Sequence, residues 1–267
     1  MKVTTYDTTK ARIINAPLPE DTRTYKRITN EELINLTLES IYGAGFSLQS
    51  ERYTMARDGD IANGMYSIRN VADSEMQLNI AWQNSYNKQL TLKYCLGVKI
   101  FVCENGGVSG DMGAFKRKHT GDVQEFTPKH IIEYIKTAGD VFADMQRQRE
   151  RLKQIEITKR TAAELIGRAY IENQFINTTQ LNIIKSQFEK PLFDYGAPGS
   201  LWELYQWITY SLKNDHPSNW MQDHLDTHNF ILGAAEFLSS DDTYSELEEM
   251  AAVEDKRQLK LFPEIFG

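Results

Sequence analysis

The sequence predicts an α+β fold: a mostly antiparallel sheet with a helix in the N-terminal half, a helical C-terminal half and a flexible acidic tail. Three observations carry this. Between Phe46 and Thr120, short segments rich in β-branched and aromatic residues alternate with turn residues. From Thr127 to Leu238, apolar residues recur at helical spacing behind capping residues. Residues 239–267 carry 8 Asp/Glu against 3 Lys/Arg. The expected divisions are 1–126, 127–238 and 239–267.

Residues 1–28 are polar and include the two prolines of NAPLPEDT, which predicts a short strand or arm followed by loop. Thr29 to Glu32 reads as a capping box, the Thr29 hydroxyl facing the N3 amide and Glu32 reaching back. Leu33, Ile34, Leu38 and Ile41 then mark a helix that Gly43 and Gly45 stop. SLQSERYTMAR, MYSIRNV and MQLNIAW read as strands, with Asp58-Gly59-Asp60 and Asn63-Gly64 as turns. Leu92 to Cys103 reads as a buried strand, with a helical turn over Leu90–Leu96 as an option at its start. Glu104-Asn105-Gly106-Gly107 reads as a turn. A second strand over Val108 or around Phe115 would complete a hairpin.

Thr127 as N-cap and Pro128 at the first helical position open the helical half. Ile131, Ile132, Ile135, Phe142 and Met145 form one stripe, and the helix then becomes highly charged at QRQRERLKQ. Further caps are expected at Thr158 or Thr161, at Thr178 or Thr179, and at Ser200 before LWELYQWITYSL. Pro217 opens the last regular segment, which ends near Leu238.

Composition bounds the function. Hydrophobic residues are 41% of the 267 and aromatics 11%, enough to bury a core, which excludes wholesale disorder. No apolar run reaches the roughly 18 residues that span a bilayer. No secretory signal is read in MKVTTYDTTK. Cys95 and Cys103 are too few for a disulfide framework, so a reducing cytoplasm and core packing of both are expected. The net charge of −7 hides an asymmetry: residues 84–160 hold 14 Lys/Arg against 9 Asp/Glu. A basic middle with an acidic tail is common in proteins that touch nucleic acid.

Phosphate-loop, nucleophile-elbow, HExxH and CxxC signatures are absent from the sequence. His224 and His228 lie one helical turn apart, but spacing fixes no third ligand, so neither metal nor cofactor is expected. The densest polar groups are Asn84-Ser85-Tyr86-Asn87-Lys88, Glu104-Asn105-Gly106, and Lys116-Arg117-Lys118-His119-Thr120-Gly121. The last places three cations, a histidine and a hydroxyl beside a glycine. Arg can pair phosphate through its planar fork, Lys as a point charge, and Thr and backbone as donors. Asn84, Ser85, Lys88, Asn105, Lys116, Arg117, Lys118, His119 and Thr120 are therefore the candidate nucleic-acid-binding residues. Trp82, Tyr86 and Phe115 stand near enough in sequence to stack bases or to fill a core.

The stretch from Trp82 to Asp122 resembles a family of phage and plasmid proteins built on a domain of unknown function. The resemblance lies in Asn84-Ser85-Tyr86-Asn87-Lys88, in the apolar strand from Gly97 to Val102-Cys103-Glu104-Asn105-Gly106, and in Leu201-Trp202-Glu203-Leu204-Tyr205-Gln206-Trp207-Ile208-Thr209. It covers roughly residues 30–232. The family often has an acid after that Thr, where Tyr210 stands here. The resemblance implies a mobile-element origin in a bacterial cytoplasm and supplies no activity.

Gln258-Leu259-Lys260-Leu261-Phe262 resembles the pentapeptide with which bacterial polymerases and repair factors bind the replication sliding clamp. On that resemblance Gln258, Leu259, Leu261 and Phe262 are the partner-binding residues. Leu261 and Phe262 would fill an apolar pocket, with Gln258 at its rim.

These readings lead to a phage or mobile-element protein of DNA replication or recombination. Its most concrete form is a single-strand DNA-binding or annealing protein recruited to the host sliding clamp, with homo-oligomers a common assembly for such proteins. Two alternatives stand beside it. One is an inhibitor of a host factor, such as a counter-defence protein or an acidic DNA mimic. The other is a metal-dependent nuclease or nucleotide-processing enzyme using Asn105, His119 and Asp111 or Asp122.

Overall fold

The computed structural model describes residues 6–23, 25–56, 59–69, 73–100, 106–108, 114–119 and 123–240. For residues 99–100, 106–108, 114–117, 123–129 and 214 it describes the backbone alone. Strands β1 (Asp7–Thr8), β2 (Leu48–Met55), β3 (Ile61–Ile68), β4 (Met76–Ser85), β5 (Leu92–Ile100), β6 (Gly106–Val108) and β7 (Ala114–Arg117) build one sheet. They pair antiparallel in sequence order from β1 to β5. The far edge of β5 is shared: β7 pairs with Leu92–Cys95 and β6 with Gly97–Lys99. Leu96 falls between them, and its N–H donates instead to the Tyr134 hydroxyl at 3.0 Å.

Alternation sorts this sheet into two unlike faces. Register aligns Tyr53, Gly64, Trp82 and Tyr94 in one row, with Tyr66, Ile80 and Leu96 in the next. This apolar face packs on α2 (Asn30–Gly43), where Thr37 and Tyr94 join hydroxyls and Tyr94 also donates to the Leu33 carbonyl at 3.4 Å. Gly64 lies beneath the indole of Trp82, where a Cβ would come within 2.5 Å of the ring. On the opposite face, Thr54, Asn63, Gln83 and Lys93 form a polar row. Beside that row, Ala81 and Cys95 meet Met221 and Leu225 of α8 (Trp220–Ser239) in a second small core.

The other helices are α1 (Lys10–Ile14), α3 (Val123–Lys136), α4 (Ala138–Gln154), α5 (Lys159–Gly167), α6 (Thr178–Glu189) and α7 (Leu201–Ser211). A π-helical turn, Arg168–Glu172, extends α5. The main apolar core is continuous from the sheet into α3, α4, α7 and the C-terminal half of α8. The charged face of α4 is used as well. Arg149 pairs with Asp73 at 2.9 Å and Lys153 with Glu75, tying the β3–β4 connection to the helical half. Among the described residues, no helix is long and apolar enough to cross a membrane.

The α+β reading holds, as do the Thr29–Glu32 capping box, the Thr158 and Ser200 caps, and Gly45, which takes φ +80° after α2. Several local readings are corrected. Asn63-Gly64 is the interior of β3, where Gly64 makes room for Trp82. β5 begins at Leu92 without a helical turn, both proposed partner strands form, and Gly106-Gly107 belongs to β6. Helix α3 starts at Val123, so Thr127 and Pro128 lie inside it and the 126/127 division runs through it. The stripe from Ile131 to Met145 breaks at Thr137 into α3 and α4, leaving Ile132 41% exposed. Asn177, not Thr178 or Thr179, caps α6, because its side chain accepts from Thr179 and Gln180 while Gln180 reaches back. Helix α8 begins at Trp220, three residues after Pro217. Helix α1 had no periodic signal in five residues.

Candidate nucleic-acid interface

Two sequence groups some thirty residues apart meet at one end of the sheet, around Tyr25. The meeting is built from β4. At its end, the Asn84 amide donates to the Ile28 carbonyl and to Asn30 Oδ1, both at 2.9 Å. The Tyr86 hydroxyl accepts the Asn30 N–H at 2.8 Å, so the start of α2 is fastened to the end of β4. That fixes the chain entering α2, and the Tyr25 hydroxyl donates to the Ser85 carbonyl at 3.3 Å. Ser85 Oγ and the Gln89 N–H both bond to Asn87 Oδ1, a local turn that passes Lys88 through φ +66°. Lys88 is exposed, and its ammonium sits 5.0 Å from the centre of the Tyr25 ring.

The second group arrives from the far side of Tyr25. The Lys26 N–H donates to the His119 carbonyl at 2.9 Å, and the imidazole lies 5.3 Å from the Tyr25 ring centre. Lys118 is exposed beside it. Lys116 and Arg117 end β7, with Lys116 in register with Lys93.

Burial raises the Tyr25 pKa, and Asp21 adds to that against Arg27, so the phenol keeps its proton. Burial lowers the His119 pKa, so the ring is neutral at pH 7 and does not add to the positive charge. Neither His119 ring nitrogen has a hydrogen-bond partner among the described residues. The arrangement therefore offers the exposed Lys88 ammonium on a buried, hydrogen-bonded aromatic hub, with exposed Lys118 next in the chain to His119 on the other side.

Some candidate residues take other roles. Asn84 and Ser85 are 1% and 0% exposed, and the Asn84 amide N–H groups and the Ser85 hydroxyl are bonded inside the protein. They position Lys88 and Tyr25 and cannot themselves reach a phosphate. Trp82 and Tyr86 are also buried, with the Trp82 N–H donating to Tyr66 at 3.1 Å, so they do not stack bases. Asn105, Thr120, Asp111 and Asp122 lie outside the described residues, as do Gln258, Leu259, Leu261 and Phe262, and the side chain of Phe115. His224 and His228 are core residues. His228 Nδ1 meets the Tyr205 hydroxyl at 3.1 Å, and His224 is 1% exposed. Among the described residues, no three His, Cys, Asp or Glu side chains gather to hold a metal.

Sequence reasoning missed Tyr25, because it stands in a segment without period. A second polar cluster was missed too. Asn63 and Gln83 both donate to the Pro217 carbonyl, and Lys93 donates to Gln222 on α8. Nearby, burial, contact with Asp215 and the charge of Asp226 push the Asp223 carboxyl up to about 8, against the pull of Lys93. The lone signal for it in the sequence was the run of polar residues at alternate positions of the strands.

A family model described as a domain of unknown function (DUF932) matches residues 21–246. No curated protein and no solved structure matches the chain.

Proposed function

The chain belongs to this domain-of-unknown-function (DUF932) family, and from that premise we propose that it is a phage or mobile-element protein of DNA replication or recombination. In this reading it binds single-stranded DNA in the bacterial cytoplasm, as an annealing-type protein does, and its C-terminal peptide recruits it to the host sliding clamp. The observation that supports it is that Lys88 and His119, the last residue of the Lys116–His119 run, meet at Tyr25, with Lys118 exposed next to His119. Positive groups brought to one rim from separate strands follow a phosphate backbone better than one run in a single loop. The clamp part is supported by the peptide Gln258–Phe262.

The test is fluorescence anisotropy of labelled single- and double-stranded DNA at several salt concentrations. The parent is expected to bind single strands, with affinity falling steeply as salt rises. Lys88→Ala/Lys118→Ala, and separately Lys116→Ala/Arg117→Ala, are expected to bind single strands more weakly and with a shallower slope, by about 0.7 for each phosphate no longer neutralised. No binding of either DNA at low salt overturns the reading. The net charge of −7 favours a second one, an acidic decoy that engages a host DNA-binding protein. That reading predicts capture of the host factor without affinity for DNA.

A further inference from the structure

An apolar groove lies between α5 and the C-terminal half of α8. Leu165 on α5 forms one wall, and Phe230, Ala234, Phe237 and Leu238 on α8 form the other. Its volume is about 380 Å³, within the range of pockets that hold ligands. Phe237, a large ring at the groove's mouth, is 52% exposed. Glu164, Arg168 and Asn229 stand on the rim.

The chain itself continues from this place. Helix α8 ends at Ser239, beside Phe237 and Leu238, and residues 241–267 follow. Large apolar side chains are densest at the end of those residues, in Leu259, Leu261, Phe262, Ile265 and Phe266, while Tyr244, Leu247 and Met250 stand singly among the acids before them. The spacer carries Asp241, Asp242, Glu246, Glu248, Glu249, Glu254 and Asp255 and few large apolar side chains, so the apolar groove suits the peptide at its end rather than the spacer itself. About 18 residues of spacer, at up to 3.3–3.6 Å each, leave ample length to turn back. A tether that short holds its peptide at an effective concentration in the millimolar range.

We propose that this groove is the resting seat of the chain's own C-terminal peptide. The apolar side chains of the Leu259–Phe262 peptide are of the kind that a groove lined by Leu165, Phe230 and Ala234 accepts. A docked peptide is withheld from any other partner, so the groove sets how readily the peptide is released. This last step rests on the clamp reading; the docking does not.

The experiment is hydrogen–deuterium exchange on the full chain, following the amides of residues 230–238 and 165–173. It compares the parent with Leu261→Ala/Phe262→Ala and with Phe237→Asp, the latter a change at a half-exposed ring that the fold tolerates. Both variants are expected to exchange about tenfold faster than the parent in these segments and equally elsewhere. Identical exchange in the parent and in Leu261→Ala/Phe262→Ala overturns the proposal. Protection that grows with protein concentration also overturns it, because a neighbouring molecule's tail would then fill the groove. Binding to immobilised sliding clamp separates the two readings. If the peptide docks in the parent, Phe237→Asp, which releases it, binds the clamp more tightly than the parent and Leu261→Ala/Phe262→Ala does not bind. Altered exchange without clamp binding leaves the docking standing and removes the clamp.

Discussion

Gly64 shows how one missing side chain shapes a sheet. A Cβ there would lie 2.5 Å from Trp82 Cε2 and 2.6 Å from its Nε1. Trp82 cannot give way, because it is fully buried and its N–H is held by Tyr66. Gly64→Ala is therefore expected to destabilise the protein by about 1–3 kcal/mol, as overpacking does. Urea unfolding followed by tryptophan fluorescence checks this, and an unchanged midpoint contradicts it. Tyr25 is the corresponding residue of the candidate site. It touches Lys88, His119 and Ser85 at once. Tyr25→Ala is expected to weaken DNA binding at least as much as losing Lys88 alone, since it releases both the Lys88 ammonium and the His119 ring next to Lys118. Retention of parental affinity by a folded Tyr25→Ala protein would separate the site from its hub.

At the scale of the element, α8 governs the response to pH. Burial holds His224 down at about 3 and His228 at about 4, the latter despite Asp144. The unfolded chain takes up protons near the ordinary histidine value of about 6.5 that the folded chain refuses, so stability falls as pH drops from there. Asp223 acts in the opposite sense. Its folded carboxyl keeps a proton up to about 8 that the unfolded chain releases near 3.8, so stability falls as pH rises through that window. Each group contributes a slope of at most about 1.4 kcal/mol per pH unit. Below 6.5 two histidines outweigh one aspartate, and above it the aspartate acts alone. Stability is thus expected to peak near pH 6.5, the histidine value just given. Denaturation midpoints from pH 5 to 8 test this, with Asp223→Asn expected to flatten the alkaline side. A parental profile that rises steadily to pH 8 contradicts the assignment.

At the scale of the whole molecule, sheet and helices are joined by the core and by polar ties that cross it. Arg149 on α4 reaches Asp73. Burial would raise that carboxyl, but the guanidinium, the Gln146 amide and the N–H groups of Glu75 and Met76 hold it at about 2. Asn63 and Gln83 reach the Pro217 carbonyl from the polar row of the sheet. These partners are 154 and 134 residues apart in the chain. Arg149 and Asp73 stand 76 residues apart, so the QRQRERLKQ segment shows in sequence only as highly charged, although Arg149 is 9% exposed.

What the sequence determined alone was local. The helix over Asn30–Gly43 follows from a capping box and a 3.6-residue period, which lie within one turn of each other. The strands follow from alternation, which needs only neighbouring residues. The basic character of Lys116–His119 and the peptide Gln258–Phe262 are also readable in the chain itself. Tertiary structure decided whatever depends on the second partner. It turned Asn63-Gly64 from a turn into a strand, because Trp82 arrives across the sheet and leaves room for a hydrogen alone. It sent Asn84 and Ser85 inward and left Lys88 outside, because the hydrogen bonds that the first two make come from residues before α2 and from the following turn. It brought Lys88 and His119 together at Tyr25, a residue whose own surroundings in the sequence carry no period at all. A side chain's role is set by what faces it in space, and a one-dimensional pattern records only what precedes and follows it.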